Sequence, residues 1–138
     1  MSNLSVKQPI NIASSFSSNL PFSQAIRTGG TVYLSGIIGK DNATGKLVSG
    51  GFEAEARQVF VNMGLVLEAA GLTYDNVVKN TVLLADINDF AVLNKIYGEY
   101  FKIDPPARST YQVDALPSGA LIEIEAIAAS SDINKSHL

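Results

Sequence analysis

Leu121-Ile122-Glu123-Ile124-Glu125-Ala126-Ile127-Ala128 is a stretch with two unlike faces. With the period of two that a strand imposes, Ile122, Ile124, Ala126 and Ala128 share one side, and Leu121, Glu123, Glu125 and Ile127 share the other. The first side is apolar throughout and suits the underside of a helical layer. The second mixes carboxylates with large aliphatic groups. A monomer would leave that side as an amphipathic sheet surface in water, whereas an oligomer could bury it and keep a polar cleft between subunits. Glu125 reads equally well as part of a solvated outer face.

Upstream, Phe52, Ala56, Val59, Met63, Val66 and Ala70 alternate steps of four and three, one helical stripe long enough to cover a sheet. Gly71 closes that helix, which the pattern places over Phe52 to Ala70. A second helix is expected from Asp89 to Phe101, capped by Asn88 or Asp89, with Phe90, Leu93, Tyr97 and Tyr100 or Phe101 inward. Strands are expected at Ser23 to Arg27, Thr31 to Gly36, Val78 to Leu84, Arg108 to Ala115 and Leu121 to Ala128. Thr28-Gly29-Gly30 reads as a hairpin turn, and Asn42-Ala43-Thr44-Gly45 as a turn before the first helix. The order ββαβαββ predicts an α+β sandwich, two helices on one face of a mixed sheet. The whole chain, 1–138, reads as one domain with an ordered core over about residues 20–130, an N-terminal extension over 1–19 and a tail over 131–138.

Composition narrows the chemistry. The 138 residues are 46% hydrophobic and 17% charged, enough apolar material for a core without a disulfide or metal staple. There is no cysteine, and the one histidine is His137. A cysteine nucleophile, a thiolate metal site and a Ser-His-Asp triad within one subunit are excluded together. A formal net charge of -3 disfavours nucleic acid as a partner bound by bulk electrostatics. No apolar run approaches the roughly 20 residues that span a bilayer, and the N-terminal stretch has no apolar core of a secretory signal, so the expectation is a cytoplasmic protein. Ser136-His137-Leu138 resembles the Ser-Lys-Leu peroxisomal address, which makes peroxisomal import the competing expectation.

No metal site and no cofactor motif stands out. Gly36-Ile37-Ile38-Gly39-Lys40 has the wrong glycine spacing for a phosphate-binding loop, and Asp41 stands where such a loop needs Ser or Thr. What remains is Pro106-Ala107-Arg108-Ser109-Thr110, followed after a turn at Leu116 to Gly119 by Ile122-Glu123-Ile124-Glu125. If that turn closes a hairpin, Arg108 and Glu123 lie on one antiparallel ladder. Arg offers a planar fork that matches a carboxylate, and Glu a base that can orient and deprotonate water. Spacing leaves an ordinary structural cross-strand pair equally open.

Pro-Ala-Arg-Ser-Thr-Tyr-Gln-Val over 106–113, Leu116-Pro117 and Ile122-Glu123-Ile124-Glu125-Ala126-Ile127-Ala128 together resemble the signature of the Rid family of reactive intermediate (imine/enamine) deaminases, also called YjgF-like. Tyr33-Leu34-Ser35-Gly36, Glu68-Ala69-Ala70-Gly71, the run Thr81 to Phe90 and Asn94-Lys95-Ile96-Tyr97 are similar to it as well, so the likeness spans about Pro21 to Ala129. The resemblance implies a chorismate-mutase-like fold and a homotrimer with a central barrel and clefts between subunits. It implies hydrolysis of 2-aminoacrylate and related 2-iminoacids to 2-ketoacids and ammonia, without a cofactor. Arg108 would then hold the substrate carboxylate, and Glu123 would position the attacking water. The backbone at Gly36 and Thr110 would help fix the substrate, with Ser35 and Asn94 in support. The same resemblance carries two rival readings, a ribonuclease-like translation inhibitor and a non-catalytic trimer that binds small carboxylates or acts as a chaperone.

Two departures from the family pattern matter. Leu20-Pro21-Phe22 stands where many members have Gly-Pro-Tyr, so Phe22 can wall the substrate pocket but has no hydroxyl to donate. Thr110 stands where bacterial members often have cysteine.

Overall fold

The computed structural model describes residues 6–12 and 20–130; the tail with Ser136-His137-Leu138, on which the peroxisomal expectation rests, lies outside them. One mixed sheet forms from β1 (Gln8–Ile10), β2 (Ala25–Thr28), β3 (Thr31–Ile38), β4 (Val77–Leu84), β5 (Ala107–Gln112) and β6 (Ile122–Ala129). Its spatial order is β1-β2-β3-β6-β4-β5. Neighbours are antiparallel except β4 and β5, which run parallel. Helix α1 (Gly51–Ala69) follows β3 and helix α2 (Phe90–Tyr100) follows β4. α1 packs on β3, β6 and α2 on one face of the sheet.

The stripe expected on α1 is buried at every position from Phe52 to Ala70. Phe60 and Leu67 join it, fully buried, and each such side chain contributes about 1.5–3 kcal/mol of transfer free energy. The helix stops because Gly71 takes φ 76°, and its N–H and that of Leu72 bond back to the carbonyls of Glu68 and Leu67. That double closure satisfies two carbonyls which the helix end would otherwise orphan. Alternation on β6 also matches: Ile122, Ile124, Ala126 and Ala128 are buried under the helices.

Three expectations need correction and one needs refinement. The N-terminal extension contributes β1, an edge strand paired with β2 through Gln8 and Arg27, Pro9 and Ile26, Ile10 and Ala25. Three residues including a proline carry no readable alternation, and an edge tolerates the missing N–H. Asp89 holds the N-cap position of α2, as expected, but its side chain makes no capping bond; Asp86 caps the 3-10 turn Ile87–Asp89 just ahead, accepting from the Asn88 N–H at 2.9 Å. Phe90 is not inward but 40% exposed, while Ile96 is buried in its stead. Above all, β5 and β6 are not hairpin partners. Leu116 to Gly119 opens a crossover: β6 inserts between β3 and β4, and β5 lies at the sheet edge.

Candidate active site

The order of the sheet divides the candidate residues into two groups. The first surrounds a cavity of about 590 Å³ whose lining includes Phe22, Ser35, Gly36, Lys40, Glu123 and Glu125. β3 enters this region through an irregularity: Leu34 pairs with Ala126 and Ile37 with Ile124, so Ser35 and Gly36 together oppose the single residue Glu125. Such an extra residue bends the strand and re-aims what it carries. Here it presses the Gly36 backbone against the Glu123 carboxyl group, and a Cβ on Gly36 would overlap Glu123 Oε2. Ser35 Oγ donates to the Ser23 carbonyl at 2.7 Å, tying β3 to the segment that carries the exposed Phe22.

Two buried polar residues of α1 hold the strand ends around the cavity. Glu55 Oε1 accepts from the Leu121 N–H at 2.9 Å, just before β6. Asn62 Nδ2 donates to the carbonyls of Ile38 at 3.2 Å and Lys40 at 2.9 Å, just where β3 ends. The helix thus does more than cover the sheet. It fixes the two backbone segments between which Glu123 is placed.

Glu123 is half-buried, and its carboxyl group is raised above the usual carboxylate range, first by burial and then by repulsion from Glu125. A carboxylate shifted toward neutrality is a better proton acceptor at working pH than an exposed one. Glu125, which the alternation left open as a solvated residue, is the electrostatic neighbour that sequence reading missed.

The second group lies at the β5 edge. Arg108 pairs in register with Asn80 on β4 and so points to the helix side of the sheet. Three residues of α2 at spacings i, i+4 and i+7 meet it there: Phe90, Asn94 and Tyr97. Arg108 Nη2 donates to Asn94 Oδ1 at 2.7 Å, and its guanidinium carbon lies 4.6 Å from the Tyr97 ring centre and 5.4 Å from that of Phe90. Two positions on, Thr110 points the same way, and its buried Oγ1 has no hydrogen-bond partner.

Arg108 and Glu123 of one chain are therefore far apart. β4 separates their strands, about 10 Å across the sheet at roughly 4.8 Å per strand. Asn80 pairs with both Arg108 and Ala126, which leaves Glu123 three positions further along β6, about another 10 Å. They also occupy opposite faces, since Glu123 pairs with Leu83 on the open side and Arg108 with Asn80 on the helix side. The ladder expected from a hairpin does not exist, and the structural salt bridge falls with it.

Among the described residues no helix is long and apolar enough to cross a membrane, and no group of three His, Cys, Asp or Glu residues could hold a metal ion. A family model described as Endoribonuclease L-PSP matches residues 12–130. The chain is 54% identical over 118 residues to a protein of Homo sapiens named 2-iminobutanoate/2-iminopropanoate deaminase, covering 86% of each. It is 48% identical over 138 residues, the full length of both, to a Bos taurus protein of the same name. Among solved structures, a protein of the conserved Rid family from Yersinia pestis is 45% identical with a TM-score of 0.85, covering 89% of this chain and 98% of that one. The E. coli protein TdcF, solved with bound serine, is 33% identical with a TM-score of 0.83, over 90% and 99% of the two chains.

Proposed function

The chain belongs to the Rid (YjgF-like, Endoribonuclease L-PSP) family, and on that footing we propose that it hydrolyses 2-aminoacrylate and related 2-iminoacids to 2-ketoacids and ammonia. The observation that carries the reading is Glu123: a half-buried carboxylate with a raised proton affinity, laid against a glycine and facing a cavity. The names of relatives at 54% and 48% identity specify the same chemistry.

The reaction asks little of a protein. A protonated imine conjugated to a carboxylate is already electrophilic at C2. Glu123 takes a proton from water as its oxygen adds to C2. The proton passes to the nitrogen, and the new hydroxyl then gives its own proton to Glu123. Its O–H electron pair forms the C=O bond as the C–N bond breaks, ammonia leaves with the C–N electron pair, and Glu123 releases the proton to solvent. Arg108 holds the substrate carboxylate by its planar fork. One positioned base supplies a factor of about 10²–10⁴, and orientation several kcal/mol more. No step calls for a cofactor.

Because Arg108 and Glu123 of one chain face opposite ways, one substrate meets both only across two copies. A homotrimer with its clefts between subunits satisfies this, and the open face supports association: Tyr33 and Tyr111 expose about half of their surface there. In this arrangement Phe22, Ser35 and Gly36 belong to the Glu123 side of the cleft, and Asn94 and Thr110 to the Arg108 side. A ribonuclease would need to hold phosphates, and Glu123 and Glu125, both lining the cavity, oppose that charge.

The test is to generate 2-aminoacrylate in situ with a serine dehydratase and follow imine decay. Wild type accelerates decay, Arg108→Ala abolishes the acceleration, and Glu123→Ala reduces it by about 10²-fold or more. No acceleration by wild type would rule out the deaminase, and variants equal to wild type would rule out these two residues.

A further inference from the structure

We infer that Tyr97, pinned from behind by Asn80, is a positioning residue that holds the Arg108 guanidinium in place for the substrate carboxylate. The inference rests on the reading of Arg108 as the carboxylate anchor and adds to it two residues behind the guanidinium.

Arg108 lies on an edge strand, and among the described residues no carboxylate pairs with it. A long side chain left so would sample many rotamers, and a carboxylate binding it would have to freeze them. The structure supplies the order beforehand. The Tyr97 ring centre lies 4.6 Å from the guanidinium carbon, a cation–π contact that holds the head over the ring, and Asn94 takes one N–H at 2.7 Å, which limits its rotation. The remaining N–H groups are left to fork a carboxylate.

Tyr97 is itself held. Its hydroxyl accepts from Asn80 Nδ2 at 2.8 Å, and its ring packs against Phe101 at 4.7 Å and edge-on against Phe60 at 5.9 Å. Asn80 is wholly buried, yet its Oδ1 has no hydrogen-bond partner among the described residues. A buried unmet acceptor works against folding, and an aliphatic residue would suit a strand whose next inward positions are Val82 and Leu84. A polar group that the core does not need, one bond behind the ring that carries Arg108, points to a role at the site. Burial raises the Tyr97 phenol above its ordinary range, so the ring stays neutral beneath the cation at physiological pH.

The test compares Asn80→Leu, Tyr97→Phe, Tyr97→Leu and Arg108→Ala. For each, KM and kcat are measured with 2-iminopropanoate generated in situ. Inhibition by pyruvate, which carries the carboxylate, and by methyl pyruvate, which does not, is measured beside them. Asn80→Leu and Tyr97→Phe each leave one polar group of the Asn80–Tyr97 pair buried and unmet. Each lowers the melting temperature by a few degrees while staying folded at the assay temperature, and the double variant recovers that loss. The two single variants raise KM and the pyruvate inhibition constant about threefold to tenfold, the cost of immobilising one rotamer-rich side chain on binding. They leave kcat within about twofold and methyl pyruvate unchanged. The double variant is no worse than either single one, because both break the same link. Tyr97→Leu, which removes the platform, has the larger effect if it folds, and the two milder variants decide the matter if it does not. Equal weakening of acid and ester, or no change in pyruvate inhibition while Arg108→Ala loses it, overturns the inference and leaves Arg108 as the anchor. If Arg108→Ala itself leaves KM and pyruvate inhibition unchanged, the anchor reading fails and the inference with it.

Discussion

At Gly36 the missing Cβ is a matter of space and not of backbone conformation, for Gly36 is not among the glycines with positive φ. An added Cβ would stand 2.7 Å from Glu123 Cδ and 3.1 Å from its Cγ, and what would yield is the flexible end of a side chain. Gly36→Ala is therefore expected to change stability by less than about 1 kcal/mol while displacing the base, with kcat down about 10²-fold or more. Thermal melts beside single-turnover rates check this, and a melting point that falls in step with the rate would count against it. The raised carboxyl of Glu123 has a second consequence. A general base works deprotonated, so activity falls as pH drops through a midpoint above the ordinary glutamate value of about 4.3. Glu125→Gln removes the repulsion but not the burial, so that midpoint moves down without reaching the ordinary value. A pH-rate profile of the two proteins reads this directly, and a midpoint that stays in place or rises in Glu125→Gln contradicts the assignment.

Among the elements, α1 was legible from its sequence almost residue by residue. A stripe in steps of four and three has one helical reading, and Gly71 marks the end because only a left-handed residue closes the helix that way. Replacing Gly71 by Ala finds open space but an unfavourable φ of 76°, so it costs about 1 kcal/mol and lowers the melting temperature by about 3–5 °C. A loss well under 1 °C in a calorimetric scan would contradict the capping role. The polar residues that α1 buries, Glu55 and Asn62, were not legible, because their partners are backbone groups of strands far along the chain. The same holds for strand order. Alternation shows which face of Leu121 to Ala128 turns inward, but not which strands flank it. The turn residues Leu116 to Gly119 suit a hairpin and a crossover alike, and burial of β6 between β3 and β4 decides for the crossover. Phe90, Asn94 and Tyr97 are spaced to share one helix face, a signal present in the sequence whose target, Arg108, only the fold supplies.

For the whole molecule, one fact governs function: the residues that sequence motifs bring together are parted by the sheet. Phe22, Ser35, Gly36 and Glu123 gather at one cavity, and Asn94, Arg108 and Thr110 at the far edge on the other side. The motif is legible as a set from the family resemblance, and its division is not, because that depends on strand order. The central claim, that Arg108 of one subunit and Glu123 of another serve the same substrate, is tested most directly by mixing. Arg108→Ala, without activity alone, and Glu123→Ala, with about a hundredth or less, are unfolded together, refolded as a mixture and assayed on 2-aminoacrylate. Random assembly places an intact Arg108 opposite an intact Glu123 in about a quarter of the clefts, so about a quarter of the wild-type activity returns. A mixture that stays as inactive as its separate components would contradict the account.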